Sequence, residues 1–326
     1  MKKNLFVVAS PLQIINANEA INYFSLINNV FVVIYNSNDI HNIQIDNILK
    51  NIKTDEVIKI KPSRNGKFFE YVKIIRYLKK YIYNYLVIGD MGSINRVIIP
   101  NLKKDKVFLI DDGIGTIDYY NNFLKNSNIN KYKFSILRFL LLGFKINIKD
   151  SINLFTYFDF NKNNNIEIVK NNLTCLKNRL NSSSNNFYDD DIFFLGQPFD
   201  ACKKLEEYKD DLYRLYKNKN KKIIYIPHRY EPKEQTELIK NLEYVEFLKL
   251  NEPVEMFFIN NNIYPKYVVS HITTALITLK MIYNSSKIEY IKLEKNIVNQ
   301  EIYNHILNTY EYYEKISLEQ CFLDKI

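Results

Sequence analysis

Short apolar runs rich in β-branched and aromatic residues recur along this chain, and between them lie longer segments with apolar positions every three or four residues. Residues 5–9, 30–35, 56–60, 85–89 and 106–110 have the length and composition of core strands. Between them, 12–24, 43–51 and 68–81 carry helical spacing and are long enough to cross back over a sheet. The first half therefore predicts a parallel α/β domain. Gly89, Gly92, Gly113 and Gly115 all follow predicted strands, where a tight turn or a closely approaching ligand requires backbone without a Cβ.

Two polar stretches, 161–165 and the Asn- and Ser-rich 181–186, interrupt the alternation before 191–195 resumes it. Strands are expected at 222–226, 244–248, 266–269 and 288–293, with helices at 205–216, 274–283 and 299–313. The expected architecture is α/β: two Rossmann-like domains, 1–185 and 186–326, with parallel sheets facing across a cleft. The last helix is expected to return to the N-terminal domain. No repeat of fixed period is visible.

At 326 residues the chain has room for two cores. Its 45 basic and 36 acidic residues leave a net charge of +9, which favours anionic partners. Cys175, Cys202 and Cys321 show neither paired nor metal-like spacing, which suits a reducing cytoplasm. The apolar start at 5–9 is too short for a signal h-region, and no uncharged apolar run reaches about eighteen residues, so no membrane span is expected. The segment bounded by Lys131 and Lys149 mixes Phe134, Ile136, Leu137, Phe144 and the run 139–142 with Lys133, Arg138 and Lys145. It suits peripheral contact with the inner face of a membrane, or a buried helix with snorkelling basic ends.

Three polar clusters at strand exits carry the candidate chemistry. Asp111-Asp112-Gly113 ends the run at 106–110, and Asp112, with like charge and burial expected to raise its pKa, suits a general base that takes a proton from an attacking hydroxyl. The same turn also suits capping of the next helix through Asp111 or Thr116. His228, after Pro227, can donate a hydrogen bond or a proton to a departing phosphate oxygen. Of the other histidines, His41 reads as a loop residue, His271 as a neighbour of the hydroxyl cluster and His305 as a helix residue.

Ser270, Thr273 and Thr274 lie where a strand passes into a helix, a place that suits both phosphate binding and ordinary N-capping. Glu255, in the first turn opened by Pro253, is placed to accept from a ribose diol. Gln13, in Ser10-Pro11-Leu12-Gln13, is placed to face a ligand from the first strand exit. No Walker loop, G-x-G-x-x-G or H-E-x-x-H occurs. Asp189-Asp190-Asp191 reads as a solvated lead-in to a strand rather than a metal site, and no RNA-binding signature is present.

Taken together, these motifs resemble those of the bacterial sialyltransferases, most closely the group containing the lipooligosaccharide sialyltransferases and the alpha-2,8-polysialyltransferase family. Asp111-Asp112-Gly113 is similar to their acidic-acidic-Gly motif, His228 to the histidine of their His-Pro motif, and Ser270, Thr273 and Thr274 to their donor-phosphate motif. Ser10-Pro11-Leu12-Gln13 and Gly196-Gln197-Pro198 are similar to further segments. Arg229 departs from the pattern, following His228 where many relatives carry proline.

The resemblance implies a GT-B fold, CMP-activated N-acetylneuraminic acid as donor, inversion at the anomeric carbon and no required metal or other cofactor. It implies Asp112 as general base, His228 as the motif histidine and Ser270, Thr273 and Thr274 on the donor phosphate; with Asp112 and His228 taken as the catalytic pair, Glu255 and Pro227 are expected to join the CMP side. Ser10, Gln13, Asp111, Gly113 and Arg229 are expected as acceptor or sugar contacts. A GT-B transferase using another nucleotide sugar, or a non-catalytic glycan-assembly protein, would share much of this pattern.

Overall fold

In the computed structural model, which describes residues 2–61, 66–121, 134–161, 165–182, 187–198, 205–293 and 300–323, the chain divides into two units, Met1–Cys175 and Leu176–Ile326. The first contains β1 (Lys3–Val8), α1 (Pro11–Tyr23), β2 (Asn29–Ile34), α2 (Asp39–Leu49), β3 (Glu56–Ile60), α3 (Lys67–Leu78), β4 (Ile82–Ile88), α4 (Ser93–Asn101), β5 (Lys103–Ile110), α5 (Gly115–Tyr119), α6 (Phe134–Leu137), β6 (Ile152–Thr156) and β7 (Ile168–Lys170). Its strands form one parallel sheet in the order β3-β2-β1-β4-β5-β6-β7.

The central strands are buried on both faces, as the near-continuous apolar runs require. Helix α1 starts where Ser10 caps it and Pro11 presets its first turn. Helix α3 buries Tyr71, Val72, Ile74, Ile75 and Leu78 at helical spacing, each worth roughly 1.5–3 kcal/mol if fully removed from water. Strands β6 and β7 escaped the sequence pattern because they are short and lie among Asn- and Lys-rich residues.

The second unit repeats the plan with α7 (Thr174–Ser182), which begins at the boundary, then β8 (Phe187–Leu195), α8 (Leu205–Lys219), β9 (Ile223–Ile226), α9 (Lys233–Lys240), β10 (Val245–Phe247), α10 (Val254–Asn260), β11 (Ile263–Ser270), α11 (Thr274–Ile282), β12 (Lys287–Tyr290), α12 (Gln300–Lys315) and β13 (Glu319–Gln320). The sheet order is β10-β9-β8-β11-β12-β13, again all parallel. Both orders reverse direction beside the first strand of the unit, between β1 and β4 and between β8 and β11. In doubly wound sheets, ligands bind outside the carboxyl ends of the strands at such a reversal.

Several expectations change here. The division falls at Cys175, ten residues before the expected 185, because Arg179 on α7 already bonds Asn260 on α10 at 2.6 Å. Residues 162–164 and 183–186 of the polar stretches, and Cys202, lie outside the described residues. The last helix belongs to the second unit. Tyr313 on α12 donates to the Thr273 carbonyl at 2.7 Å, the Tyr310 hydroxyl accepts from the Leu293 amide at 3.0 Å, and β13 extends the second sheet. His41 is a buried helix residue, with Nε2 2.7 Å from the Ala9 carbonyl. Of the segment from Lys131 to Lys149, residues 131–133 lie outside the described residues; the rest is not one helix but α6, a 3-10 turn at Leu140–Leu142 and irregular chain after Gly143.

Candidate active site

At the carboxyl edge of the first sheet, β5 delivers two adjacent aspartates into opposite environments. Asp111 is fully buried. Its carboxylate accepts from the Thr156 hydroxyl at 2.7 Å and the Tyr157 amide at 2.8 Å, both at the exit of β6. Its carbonyl accepts from Asn16 Nδ2 at 3.0 Å, and Asn16 in turn accepts from Asn171 at 3.0 Å. Burial pushes the Asp111 carboxyl up to about 7, against the pull of those hydrogen bonds.

Asp112, by contrast, is exposed. The desolvation expected of Asp112 therefore belongs to Asp111, a correction with a simple cause: consecutive residues leaving a strand point to opposite sides. Asp112 Oδ1 accepts from the Ser10 hydroxyl at 2.9 Å, while Ser10 Oγ accepts from the Gln13 amide at 3.2 Å. One serine thus caps α1 and orients the exposed carboxylate. Gly113 turns the chain with φ of 76°, a left-handed conformation that a Cβ would strain. The N-cap position of α5 is Ile114, whose side chain makes no cap bond, and Thr116 Oγ1 accepts from the Asp112 amide at 3.1 Å.

Gln13 does not face a ligand. It is buried, its Oε1 accepts from the Ala9 amide at 2.6 Å, and its side chain fills the space beside Gly89. It shapes the wall at the β1–β4 reversal rather than the surface a sugar would touch.

In the second unit, His228 follows β9 in a turn closed by the Glu231 amide donating to the His228 carbonyl at 2.9 Å. The Tyr230 amide donates to His228 Nδ1 at 3.3 Å, so a neutral ring keeps its proton on Nε2, the nitrogen suited to donate. The Arg229 guanidinium lies over the Tyr230 ring, 5.3 Å from its centroid. Pro227 is half-buried at the strand exit.

The hydroxyl cluster divides. Ser270 is fully buried and donates to the Leu195 carbonyl at 2.6 Å, tying β11 to β8 at the reversal, so its expected phosphate contact is corrected to a strand tie. Thr273 is the N-cap of α11: its Oγ1 accepts from the Ala275 amide at 3.3 Å, and its own amide donates to Tyr313 Oη at 2.9 Å. Thr274 stands half-buried in the first turn, where the helix dipole favours an anion. Glu255 is buried and accepts from the Thr278 hydroxyl at 2.5 Å; burial raises its pKa. A carboxyl held inside the core beneath α11 is not presented to a ribose, which corrects that expectation too.

One residue escaped the sequence reading. Glu231 Oε1 accepts from the His228 amide at 2.7 Å and from the Tyr225 hydroxyl at 3.1 Å. The carboxyl lies against Gly196, where any Cβ would overlap it and Tyr225. Gln235 Nε2 bonds Tyr225 Oη at 3.3 Å and the Gln197 carbonyl at 2.8 Å, and Gln197 Oε1 accepts from the Ile272 amide at 2.9 Å. This network ties the exits of β8, β9 and β11 together behind His228. The only sequence signal was an acid three residues after the histidine and next to Pro232, which reads as a helix start.

Burial pushes the Glu231 carboxyl from its ordinary value near 4.5 up to about 8, against the lowering bonds of His228 and Tyr225. The unfolded chain ionises near the ordinary value while the folded chain holds the proton to about pH 8. The stability this group contributes is thus present below about pH 4.5 and lost as pH rises through about 8. Asp111 acts with the same sign, between an ordinary 3.8 and about 7. Glu231→Gln, a mimic of the protonated form, is therefore expected to show a melting-temperature advantage over the parent that grows from about pH 5 to about pH 9. Thermal unfolding of both proteins across that range tests it, and a difference independent of pH would contradict the assignment.

Among the described residues no three His, Cys, Asp or Glu side chains are grouped to hold a metal ion, and no helix is long and apolar enough to cross a membrane.

Comparison with known proteins agrees with this organisation. Among solved structures, the Staphylococcus aureus MnaA–UDP co-structure is similar at 11% identity, covering 97% of this chain and 88% of that one, with a TM-score of 0.56. The Neisseria meningitidis UDP-GlcNAc 2-epimerase bound to UDP-GlcNAc matches at 12% identity, with coverage of 97% and 94% and a TM-score of 0.55. A putative UDP-N-acetylglucosamine 2-epimerase from Listeria monocytogenes matches at 10% identity, with coverage of 98% and 92% and a TM-score of 0.56. These likenesses concern the fold, which is α/β and of the GT-B class. No curated protein sequence matches the chain. Residues 4–292 match the model of the family described as alpha-2,8-polysialyltransferase (POLYST), and the chain accordingly belongs to the alpha-2,8-polysialyltransferase family.

Proposed function

We propose that this protein is an inverting, metal-independent sialyltransferase that moves sialic acid from CMP-N-acetylneuraminic acid to a hydroxyl of a surface glycan. The observation that carries the reading is the exposed Asp112 carboxylate at the exit of β5, oriented by the Ser10 hydroxyl. Family membership over residues 4–292 supports the donor class.

In this mechanism the acceptor O–H proton passes to Asp112 as the acceptor oxygen bonds to the anomeric carbon. The bond from that carbon to the phosphate oxygen breaks, and its electron pair leaves with CMP. His228 Nε2–H donates to the departing phosphate, and the α11 N-terminus at Thr274 stabilises its charge. CMP carries a single phosphate, which these donors neutralise without a cation. Attack opposite the leaving group inverts the anomeric centre. Galactose at a lipooligosaccharide tip, a terminal sialic acid and a capsular repeat are all acceptors of the required chemistry, and the site belongs on the cytoplasmic side, where CMP-activated sugar is available.

Because ligand binding to the folded state alone raises stability by mass action, saturating CMP is expected to raise the melting temperature by several degrees, with UDP and GDP giving no comparable shift. Incubation with CMP-sialic acid and a panel of galactosides and sialosides, read by product mass and linkage, then identifies the acceptor. A shift with UDP instead of CMP points to a uridine-diphosphate sugar as donor; UDP and UDP-GlcNAc are the ligands held in two of the similar solved structures. Neither a shift nor a product would leave the glycan-assembly reading in its place.

A further inference from the structure

The outer face of α3 and the segment after α6 form a surface of unusual composition. The exposed positions of α3 are Lys67, Phe69, Lys73 and Arg76, with Lys79 and Lys80 following directly. Phe69 is 70% exposed. The turn at Leu140–Leu142 presents three leucines, with Leu141 88% exposed, and Leu137 adds a fourth from α6. The two segments share one face: the Arg138 guanidinium lies over the Phe68 ring at 4.2 Å, and Phe68 meets Phe139 edge-on at 4.8 Å. Beneath them Ile136, Phe139 and Phe144 are buried and anchor the turn in the core.

Every exposed charge on these elements between 67 and 80 and between 136 and 149 is a cation. We propose that this face is a membrane-docking surface, in which the leucines of the 140–142 turn and Phe69 enter the headgroup region of an anionic phospholipid bilayer while Lys73, Arg76, Arg138 and Lys145 meet its phosphates. Leucines that protrude from a cationic ring have the pattern of an interfacial anchor, and no spanning helix is needed. Anionic lipid supplies the complementary charge, whereas a second copy would bring cations against cations. Only the described part of the Lys131 to Lys149 segment takes part in this assignment.

The test uses the whole protein with sedimented vesicles of phosphatidylcholine alone or of phosphatidylcholine and phosphatidylglycerol at three to one. The parent is expected to pellet with the anionic vesicles and to be released by salt. Leu141→Glu, at a position too exposed to affect folding, is expected to reduce the bound fraction roughly tenfold with an unchanged melting temperature. The double substitution Lys73→Glu with Arg76→Glu is expected to reduce it by a similar factor on anionic vesicles only. Equal binding of the parent and Leu141→Glu, or no binding to anionic vesicles, would overturn the proposal. Light scattering that shows Leu141→Glu dissolving an oligomer of the parent would overturn it in favour of self-association. Vesicle binding is read without sugar transfer, so its failure and that of the proposed activity are separate results.

Discussion

Asp112→Asn is expected to lower sugar transfer about 10²- to 10⁴-fold, the range lost when a positioned base is removed, while leaving the fold and CMP binding unchanged. The substitution is nearly isosteric, and the amide oxygen of asparagine still accepts from the Ser10 hydroxyl, which lies 2.9 Å from the carboxylate. Geometry therefore survives and basicity does not. Because Asp112 is exposed, no buried charge is lost with it and stability should barely move. Ser10→Ala is the graded companion: it removes the bond that orients the carboxylate and the cap of α1 together, so it should cost both rate and about 1 kcal/mol of stability. Transfer by Asp112→Asn at more than about a tenth of the parent rate would rule out Asp112 as the base.

His228→Ala is expected to lower turnover about a hundredfold and CMP affinity much less. The turn that presents the ring is held by the backbone of His228, through its amide to Glu231 and its carbonyl from Glu231, so alanine leaves it closed. What disappears is the Nε2 donor. His228→Gln returns a neutral donor at a similar reach, and recovery of part of the rate with glutamine would show that hydrogen bonding to the leaving phosphate matters more than full proton transfer. A fall in CMP affinity that matches the fall in turnover would instead make His228 a binding group only.

Periodicity in the sequence was enough for two α/β units. Ten expected strands all exist, with ends shifted by up to four residues, because the central strands, buried on both faces, must be written as continuous apolar runs. The candidate chemistry was legible for a related reason. Asp112 and His228 stand directly after such runs, and in a parallel sheet the strand exits are where ligands meet the protein. The edge strands β7 and β13, and β6 beside β7, were not legible: β7 and β13 have only three and two residues, and the apolar run of β6 is interrupted by Asn153.

The roles within each motif were beyond local reading. Ser270, Thr273 and Thr274 look alike as hydroxyls after a strand. Only the neighbouring β8 commits Ser270 to the Leu195 carbonyl, and only α12 brings Tyr313 to the backbone of Thr273. Glu255 has the sequence of an ordinary first-turn glutamate, and its burial against Thr278 is set by how α10 and α11 pack.

By itself, then, the order of residues determined the strands, the helices and the sites where polar groups emerge, because these follow from the covalent alternation of neighbouring side chains. Tertiary structure decided which groups are dry and which are wet. Asp111 is buried and hydrogen-bonded by Thr156 and Tyr157, 45 and 46 residues away, while Asp112 is aimed by Ser10 at a separation of 102. Glu231 holds its proton because it is buried, lying against the bare backbone of Gly196, and that burial outweighs the lowering bonds from His228 and Tyr225. Solvation depends on everything that surrounds an atom, and distant segments become its surroundings only when the sheets form.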